Sequence, residues 1–299
     1  MKNCPLIFVH IHKTAGSTFN VGVAKKQFRQ DQILFLHGTF DLSDCAASIQ
    51  AVQAERSERI EYIAGHFPFG LHKHLGCEQN YVTFLRDPVE RVFSHYHYLR
   101  QTSGGRGELY LKNHNIEKRE VLSRHLAEFL ECGIFYAVDN GQVRALSGVG
   151  DSVPYGELTN EHLEAAMENL YSHIRVTGIT EEFDESLYLI RKKLNWRKIY
   201  YTIANQNKKK PSNLSDQDRS IIEPFTKLDE ELYRAATEKL HSELKQWRGW
   251  ERAVEYYGFE RRFVYAPLVK ARLTFRKARS IIRKATVKMR TDFSEGTKQ

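Results

Sequence analysis

The chain lacks any long hydrophobic run. None of its segments approaches the roughly 18 to 20 consecutive apolar residues that a membrane-spanning helix needs. The N-terminus, MKNCPLIFVHIHK, has a short apolar stretch that turns polar at once, unlike a signal peptide with its longer apolar core and small-residue cleavage site. We therefore expect residues 5–11 to form a first β-strand and the protein to be cytoplasmic.

Cysteine is also scarce. The four cysteines, at positions 4, 45, 77 and 132, are scattered and form no CxxC pair. This spacing predicts reduced thiols rather than a disulfide framework or a zinc site. The chain has 13 histidines but no HExxH motif, so we expect no bound metal.

Acidic residues are missing from one region of the chain. Between Arg261 and Arg290 there are eleven Lys or Arg and no Asp or Glu, whereas the remainder is close to neutral. The net charge of +8 therefore comes from this C-terminal region and not from the rest of the chain. At 299 residues, with 41% hydrophobic and 12% aromatic residues, the rest is typical of a folded protein of one large or two small domains.

Short strand patterns alternate with helical ones. Strands are predicted at residues 6–11, 33–36, 60–64, 81–85, 174–178 and 199–203. Helices are predicted at residues 18–28, 43–56, 88–101, 117–130, 160–171, 181–194 and 228–247. This alternation indicates an α/β fold whose parallel sheet, flanked by helices, resembles that of P-loop NTPases. We assign it to residues 1–258, and a helical tail to residues 259–299.

The first strand leads into the turn HKTAGSTF, residues 12–19. Lys13 supplies a mobile positive charge, and Gly16 lets the backbone approach an anion closely. Thr14, Ser17 and Thr18 add hydroxyl groups at the start of a predicted helix. The turn is not the GxxxxGK[ST] loop of NTPases, because the lysine precedes the glycine. Alone, it is also compatible with an ordinary strand–turn–helix corner.

A second strand-to-helix junction lies at residues 81–94. Asp87 and Pro88 are typical of the N-cap and first turn of a helix. Arg86 then ends the strand, and Ser94 lies two turns into the helix. An arginine and a hydroxyl at this spacing can bind a phosphate group. The alternative is an Arg86–Asp87 pair that only fixes the helix start.

The segments LIFVHIHKTAGSTF and YVTFLRDPVERVFSHYHYLR together resemble the two PAPS-binding segments of carbohydrate sulfotransferases (PAPS is 3′-phosphoadenosine-5′-phosphosulfate). They especially resemble those of the heparan sulfate 2-O- and 6-O-sulfotransferase group and its bacterial relatives. Weaker likeness continues through residues 137–148, 178–196 and 228–240. The resemblance implies transfer of a sulfuryl group from PAPS to a carbohydrate hydroxyl. It implies that the 5′ end is held by Lys13, Thr14, Gly16, Ser17 and Thr18, and the 3′-phosphate by Arg86 and Ser94. At Ala15 such relatives often carry a second glycine.

Sulfuryl transfer to an alcohol needs a base and stabilisation of the leaving phosphate. We expect Lys13 to stabilise the leaving oxygen. His66 is the candidate base, because it ends the strand pattern IEYIAGH and GHFPFG resembles the segment with the catalytic histidine in the heparan sulfate group. His12 and His72, the latter expected at the surface, are alternatives, and a structural role for His66 is open. His10 is expected to support the loop.

Other polar residues leave their roles open. Arg106, Lys112, Lys118 and Arg119 follow the second motif and are candidates for acceptor binding, although a solvated face is the favoured interpretation. The basic run at residues 205–210 is either a cover for the nucleotide or an ordinary loop. Gln142 and Arg144 have either a substrate-binding or a structural role.

The tail has a regular pattern. Apolar residues recur at spacings of three and four, with Lys and Arg between them, at positions 268, 271, 275, 278, 282, 285 and 289. This predicts a basic amphipathic helix, separated from the domain at Pro267. We expect residues 262–290 to bind an anionic membrane surface or a partner helix. Self-association and packing on the domain are alternatives. No nucleic-acid-binding module is recognised, so we expect no nucleic acid partner.

Two other functions are compatible with part of this pattern. A nucleotide-dependent kinase is disfavoured by the missing GxxxxGK[ST] motif and by the ordered pair of sulfotransferase-like segments. A non-catalytic glycan- or nucleotide-binding relative is disfavoured by the presence of Lys13, Arg86, Ser94 and His66.

Overall fold

The computed structural model describes residues 4–36, 41–101, 111–112, 116–197, 199–202 and 214–271. Three regions discussed above lie outside these ranges. They are Arg106, the basic run at residues 205–210 and the tail from residue 272 onwards.

The described residues form a five-stranded parallel sheet flanked by helices. Its strands are β1 (Leu6–Val9), β2 (Ile33–Leu36), β3 (Tyr62–Gly65), β4 (Tyr81–Leu85) and β5 (Ile174–Ile179), in the spatial order β2-β3-β1-β4-β5. The three central strands are buried along their whole length, which explains their nearly continuous apolar sequences. The predicted α/β fold with a parallel sheet is confirmed. Its likeness to P-loop NTPases stays a prediction.

Twelve helices are described. They are α1 (Gly16–Gly22), α2 (Leu42–Glu55), α3 (Leu71–Leu75), α4 (Pro88–Gln101), α5 (Lys118–Ser123), α6 (Leu126–Glu131), α7 (Gly141–Ser147), α8 (Asn160–Glu168), α9 (Phe183–Leu194), α10 (Asp216–Ile222), α11 (Lys227–Lys245) and α12 (Trp250–Glu260). Short 3₁₀ or π turns lie between some of them, including Tyr136–Val138 and Arg261–Tyr265.

The strand order creates a crevice at the centre of the sheet. From β1 the chain crosses β3 to reach the edge strand β2, whereas from β4 it continues to the opposite edge at β5. Neighbouring strands whose connections leave in opposite directions form a topological switch point, and ligands of open α/β sheets bind beyond their carboxyl ends. The switch point therefore lies beyond β1 and β4, the strands that precede the two predicted phosphate-binding segments.

The sixth predicted strand, at residues 199–203, is wrong over its described part. Residues 199–202 belong to no strand, and side chains bind two of their backbone carbonyls. The Tyr257 hydroxyl donates to the carbonyl of Ile199 over 2.8 Å, and the Lys26 ammonium donates to the carbonyl of Tyr200.

The helix predicted at residues 117–130 is divided in two. Arg124 and His125 are extended, and they separate α5 from α6. The Glu128 carboxylate accepts from the backbone N–H of His125, which stabilises a new helix start. Glu128 is thus the acidic residue of a capping box, and it lies within the segment that was predicted to be one helix.

The expectation that all cysteines are reduced is also wrong. Cys4, which precedes β1, forms a disulfide with Cys77, which precedes β4. Residues Ile7 and Tyr81 on these strands are paired, so the parallel register brings the two cysteines together although 73 residues separate them. Cys45 and Cys132 are not part of this disulfide.

The C-terminal helix runs past the proposed boundary at residue 258. After α12 comes the π turn Arg261–Tyr265, and residues 266–271 are again helical. Pro267 does not interrupt the helix, because it lies in the first turn of this last stretch, where a missing N–H is tolerated. The division at residue 258 stays a prediction. Within the described ranges, no helix is both long enough and apolar enough to cross a bilayer.

Candidate active site

The loop after β1 has an unusual backbone. Lys13 and Ala15 both have left-handed conformations, with φ of 69° and 60°. This conformation favours glycine, in line with the second glycine that the family resemblance leads us to expect at the position of Ala15. The Thr14 hydroxyl donates to the carbonyl of Ile11 over 3.0 Å and stabilises the turn. Helix α1 then starts at Gly16.

The position of Gly16 has no room for a side chain. A Cβ atom at Gly16 would lie 2.1 Å from the imidazole ring of His10. His10 also stacks on Phe8, with ring centroids 5.5 Å apart. His10 therefore packs beneath the loop, as the sequence predicted, and Gly16 allows the loop to lie directly on that ring.

Arg86 brings the second predicted segment against the first. Its guanidinium donates from Nη1 to the carbonyl of Lys13 over 3.3 Å. Its other contacts are with carboxylates, at 3.2 Å to Glu90 and 3.6 Å to Glu181, the latter just beyond β5. Burial raises the pKa of Glu181, whereas Arg86 opposes that shift. The two motifs thus meet beyond β1 and β4, where the switch point lies.

Helix α4 begins as its sequence predicts. The Asp87 carboxylate accepts from the N–H of Glu90 over 2.8 Å and caps the helix, so Asp87 does not pair with Arg86. Ser94 lies one helical turn after Glu90. Positions four residues apart share a helix face, so Ser94 is on the face of α4 that carries the partner of Arg86.

Four histidines meet beside the loop. His66, just beyond β3, stacks on His12 with ring centroids 3.8 Å apart and on His10 at 4.2 Å. The fully buried His95 of α4 lies 5.4 Å from His12. Burial holds the pKa of His12 well below its ordinary value of about 6.5, and the neighbouring His66, His95 and His10 lower it further. His12 is therefore neutral near pH 7.

Two further residues near the loop, His95 and Tyr98, lie on α4 and were not among the predicted site residues. His95 lies four residues after Arg91, and both are buried on one face of α4. Tyr98 lies four residues after Ser94, and its ring is 4.2 Å from the ammonium of Lys13. Each of the two residues thus follows another residue of α4 by four positions, a spacing that places both on one helix face and that is visible in the sequence.

A partly open pocket lies next to His66. His10, His12 and His66 line one side. Tyr136, Arg144 and Asp151 line another. The rest of the lining is mainly apolar, and such a pocket beside a polar cluster is typical of a small-molecule or sugar site.

Gln142 and Arg144, whose roles the sequence left open, make structural contacts. The Gln142 side chain binds the backbone of Arg86. Arg144 is buried, pairs with Asp139 and donates to the carbonyls of Gly150, Val153 and Pro154.

The remaining candidates lie away from this cluster. His72 is buried rather than at the surface, because the hydroxyl of Tyr81 binds both its backbone N–H and its ring. Burial lowers the pKa of His72. Lys112 and Arg119 are exposed, and Arg119 pairs with Glu117 in solvent. In the described part of the chain, no three His, Cys, Asp or Glu residues are arranged to hold a metal ion.

Comparisons with known proteins agree with the resemblance seen in the two segments. Heparan-sulfate 6-O-sulfotransferase 2 of Gallus gallus is 23% identical, over 76% of this chain and 64% of the relative. The protein of the same name from Homo sapiens is 25% identical, over 77% of this chain and 44% of the relative. The chain thus spans less than two thirds of the length of these relatives.

The sequence model of the galactose-3-O-sulfotransferases matches residues 1–257. This match covers the whole sheet, both segments and the helices up to α12. The predicted kinship with carbohydrate sulfotransferases is confirmed, and the chain belongs to the galactose-3-O-sulfotransferase family.

Proposed function

We propose that this protein transfers a sulfuryl group from PAPS to a hydroxyl of a carbohydrate or glycoconjugate. The observation that carries the proposal is the meeting of the two segments, where the Arg86 guanidinium lies 3.3 Å from the carbonyl of Lys13. This meeting point is the switch point of the sheet, where a nucleotide is expected. The pocket beside His66 supplies space for an acceptor.

The residues of the two segments suit a ligand with phosphate groups at both ends. The compact turn at Gly16, which leaves no space for a Cβ atom, presents the backbone closely to a 5′-phosphosulfate. Lys13, Thr14, Ser17 and Thr18 would hold that end together with Gly16. Arg86 and Ser94 would hold the 3′-phosphate, which would compete with Glu90 and Glu181 for the guanidinium. PAPS supplies the activated sulfuryl group when bound.

Within this proposal His66 is the general base. It accepts the proton of the acceptor hydroxyl while that oxygen forms a bond to sulfur and the bond from sulfur to the 5′-phosphate oxygen breaks. Lys13 stabilises the negative charge that remains on the phosphate oxygen. The Lys13 ammonium rests on the ring of Tyr98, 4.2 Å away, and this contact holds it close to the loop.

Transfer of label from ³⁵S-PAPS to a panel of glycans tests the proposal. We expect His66→Ala to lower the transfer rate by about 10²- to 10⁴-fold, the usual contribution of a general base. The affinity for PAP, the desulfated product, should be nearly unchanged. His72→Ala is the matched control, because His72 contacts Tyr81 in the core, away from the loop. Transfer that survives in His66→Ala would remove His66 as the base.

We also propose that the C-terminal helix binds an anionic membrane surface. One face of the helix packs on the domain through Val254, Tyr257 and Arg261, the last paired with Asp184 at 2.9 Å. Large apolar side chains on the other face are exposed. They are Tyr256, Phe259, Phe263, Val264 and Leu268. The basic tail that continues from this helix favours anionic lipids.

Vesicle flotation of the full chain tests the membrane proposal. We expect binding to vesicles that contain phosphatidylserine and little binding to pure phosphatidylcholine. The double variant Phe259→Ser, Phe263→Ser should bind more weakly, because it removes apolar area from the exposed face. Val21→Ser, at an exposed site on α1, is the control. Equal binding of the double variant and the wild type would contradict the proposal. Unchanged binding after deletion of residues 262–299 would contradict it as well.

A further inference from the structure

The Gln142 side chain makes two hydrogen bonds with one residue, Arg86. Its Oε1 accepts from the backbone N–H of Arg86 over 2.9 Å, and its Nε2 donates to the carbonyl of Arg86, also over 2.9 Å. Gln142 is fully buried and comes from α7, 56 residues further along the chain. Both polar atoms of the carboxamide are therefore used to hold the backbone of Arg86.

Arg86 lies one residue beyond the end of β4. The pairing of β4 with β5 ends at Leu85 and Ile179, and just beyond it the N–H of Thr180 donates to the carbonyl of Leu85 over 2.8 Å. The N–H and the carbonyl of Arg86 have their partners in Gln142 instead of in β5. The carboxamide of Gln142 offers a donor and an acceptor, as a neighbouring strand would. It thereby sets the direction in which the Arg86 side chain leaves the sheet edge, toward the loop at Lys13.

Gln142 is itself held by a buried network. Its backbone N–H donates to the Asp229 carboxylate at 3.0 and 3.2 Å, and the N–H of Val143 donates to the same carboxylate at 2.8 Å. Asp229 pairs with Arg91 of α4 at 3.1 Å, and neither side chain is exposed. Helices α4, α7 and α11 thus fix the point from which Gln142 reaches Arg86.

We propose that Gln142 is a positioning residue for the 3′-phosphate subsite, acting through Arg86. The inference rests on the proposed function, in which Arg86 binds the 3′-phosphate of PAPS. Only a side chain with both a donor and an acceptor at its end satisfies the two backbone groups of Arg86. A glutamate keeps the acceptor and loses the donor, whereas a methionine keeps the length and loses both.

Calorimetric titration with PAP and with AMP tests the inference, since the two ligands differ by the 3′-phosphate. We expect the wild type to prefer PAP. Gln142→Met should weaken PAP binding by about tenfold or more while AMP binding changes little, because two half-buried backbone groups of Arg86 lose their partners. The PAP affinity of Gln142→Glu should lie between those of the wild type and Gln142→Met. Retained AMP binding also shows that the variant is folded.

Asn169→Ala is the matched control. The Asn169 amide donates to the carbonyl of Leu146 over 2.8 Å at the other end of α7, so its loss should leave the preference for PAP intact. The inference is overturned if Gln142→Met keeps the wild-type preference, or if PAP and AMP weaken by the same factor. A wild type without preference for PAP over AMP would overturn the proposed function itself, and this inference with it.

Discussion

Gly16 is the residue at which the loop after β1 is most tightly constrained. Gly16→Ala would bring a Cβ atom within 2.1 Å of the His10 ring, so the ring or the loop must move. We expect a loss of about 1–3 kcal/mol in the free energy of unfolding, as for other overpacked sites, together with weaker PAP binding. Urea denaturation and a PAP titration measure the two effects.

Gly258→Ala is the control for that substitution. Gly258 lies within α12, and a Cβ atom there would approach Asp184 at an ordinary 3.6 Å. Alanine favours the helix by up to about 1 kcal/mol, so this variant should be slightly more stable than the wild type. A Gly16→Ala protein as stable as the wild type would contradict the contact between His10 and the loop.

The depressed pKa of His12 predicts a pH dependence of stability. The unfolded chain protonates His12 near its ordinary pKa of about 6.5, whereas the folded protein does so only at much lower pH. The unfolded state then binds more protons, so stability falls as the pH drops below about 6.5. His12→Gln removes this titration, and its urea midpoint should fall less between pH 7.5 and pH 5.5. An equal fall in both proteins would contradict the lowered pKa of His12.

Individual residues differed in how far the sequence predicted them. His66 and Arg86 follow strand patterns directly, so the position of each was readable from the chain. The contact between His66 and His12 was not, because β3 and β1 are adjacent only through the strand order. Gln142 reaches Arg86 from a helix far along the chain, and no local spacing indicates such a contact.

Among the elements, α4, α7 and α11 share one buried ion pair, Arg91–Asp229. Asp229→Ala would leave the buried Arg91 without its carboxylate and uncap the first N–H groups of α7. We expect a loss of about 3–5 kcal/mol, typical of removing one partner of a buried pair. Chemical denaturation measures it.

Asp31→Ala provides the comparison, because the Arg29–Asp31 pair is exposed. Such exposed pairs contribute little to stability, so Asp31→Ala should change the free energy of unfolding much less than Asp229→Ala. If both variants lost similarly little stability, the buried pair would not join the three helices as described.

The elements were predicted best where local signals agree. The sequence-predicted bounds of β4 and α4 match the structure because Asp87 and Pro88 separate a buried strand from a helix within two residues. At residues 199–202 an apolar run was read as a strand, yet those side chains pack against helices while tyrosine and lysine side chains bind the backbone. Periodicity alone cannot distinguish these two environments.

At the scale of the whole molecule, three adjacent strands deliver the candidate site. β1 carries the loop with Lys13, β4 carries Arg86, and β3 carries His66, all at the carboxyl edge of one parallel sheet. The sequence predicted that these residues lie at the carboxyl ends of the strands, since each follows a strand pattern directly. It did not predict which strands are neighbours, because that depends on tertiary packing between distant segments.

A thermal melt with PAP, AMP and ATP tests most directly whether these three strands form a PAPS site. PAP at about a hundredfold over its Kd should add roughly 2.7 kcal/mol of stability, a rise of several degrees for a domain of this size. We predict a clear rise with PAP and smaller rises with AMP and ATP. No rise with PAP, or a larger rise with ATP, would contradict the assignment of the two segments and favour a kinase.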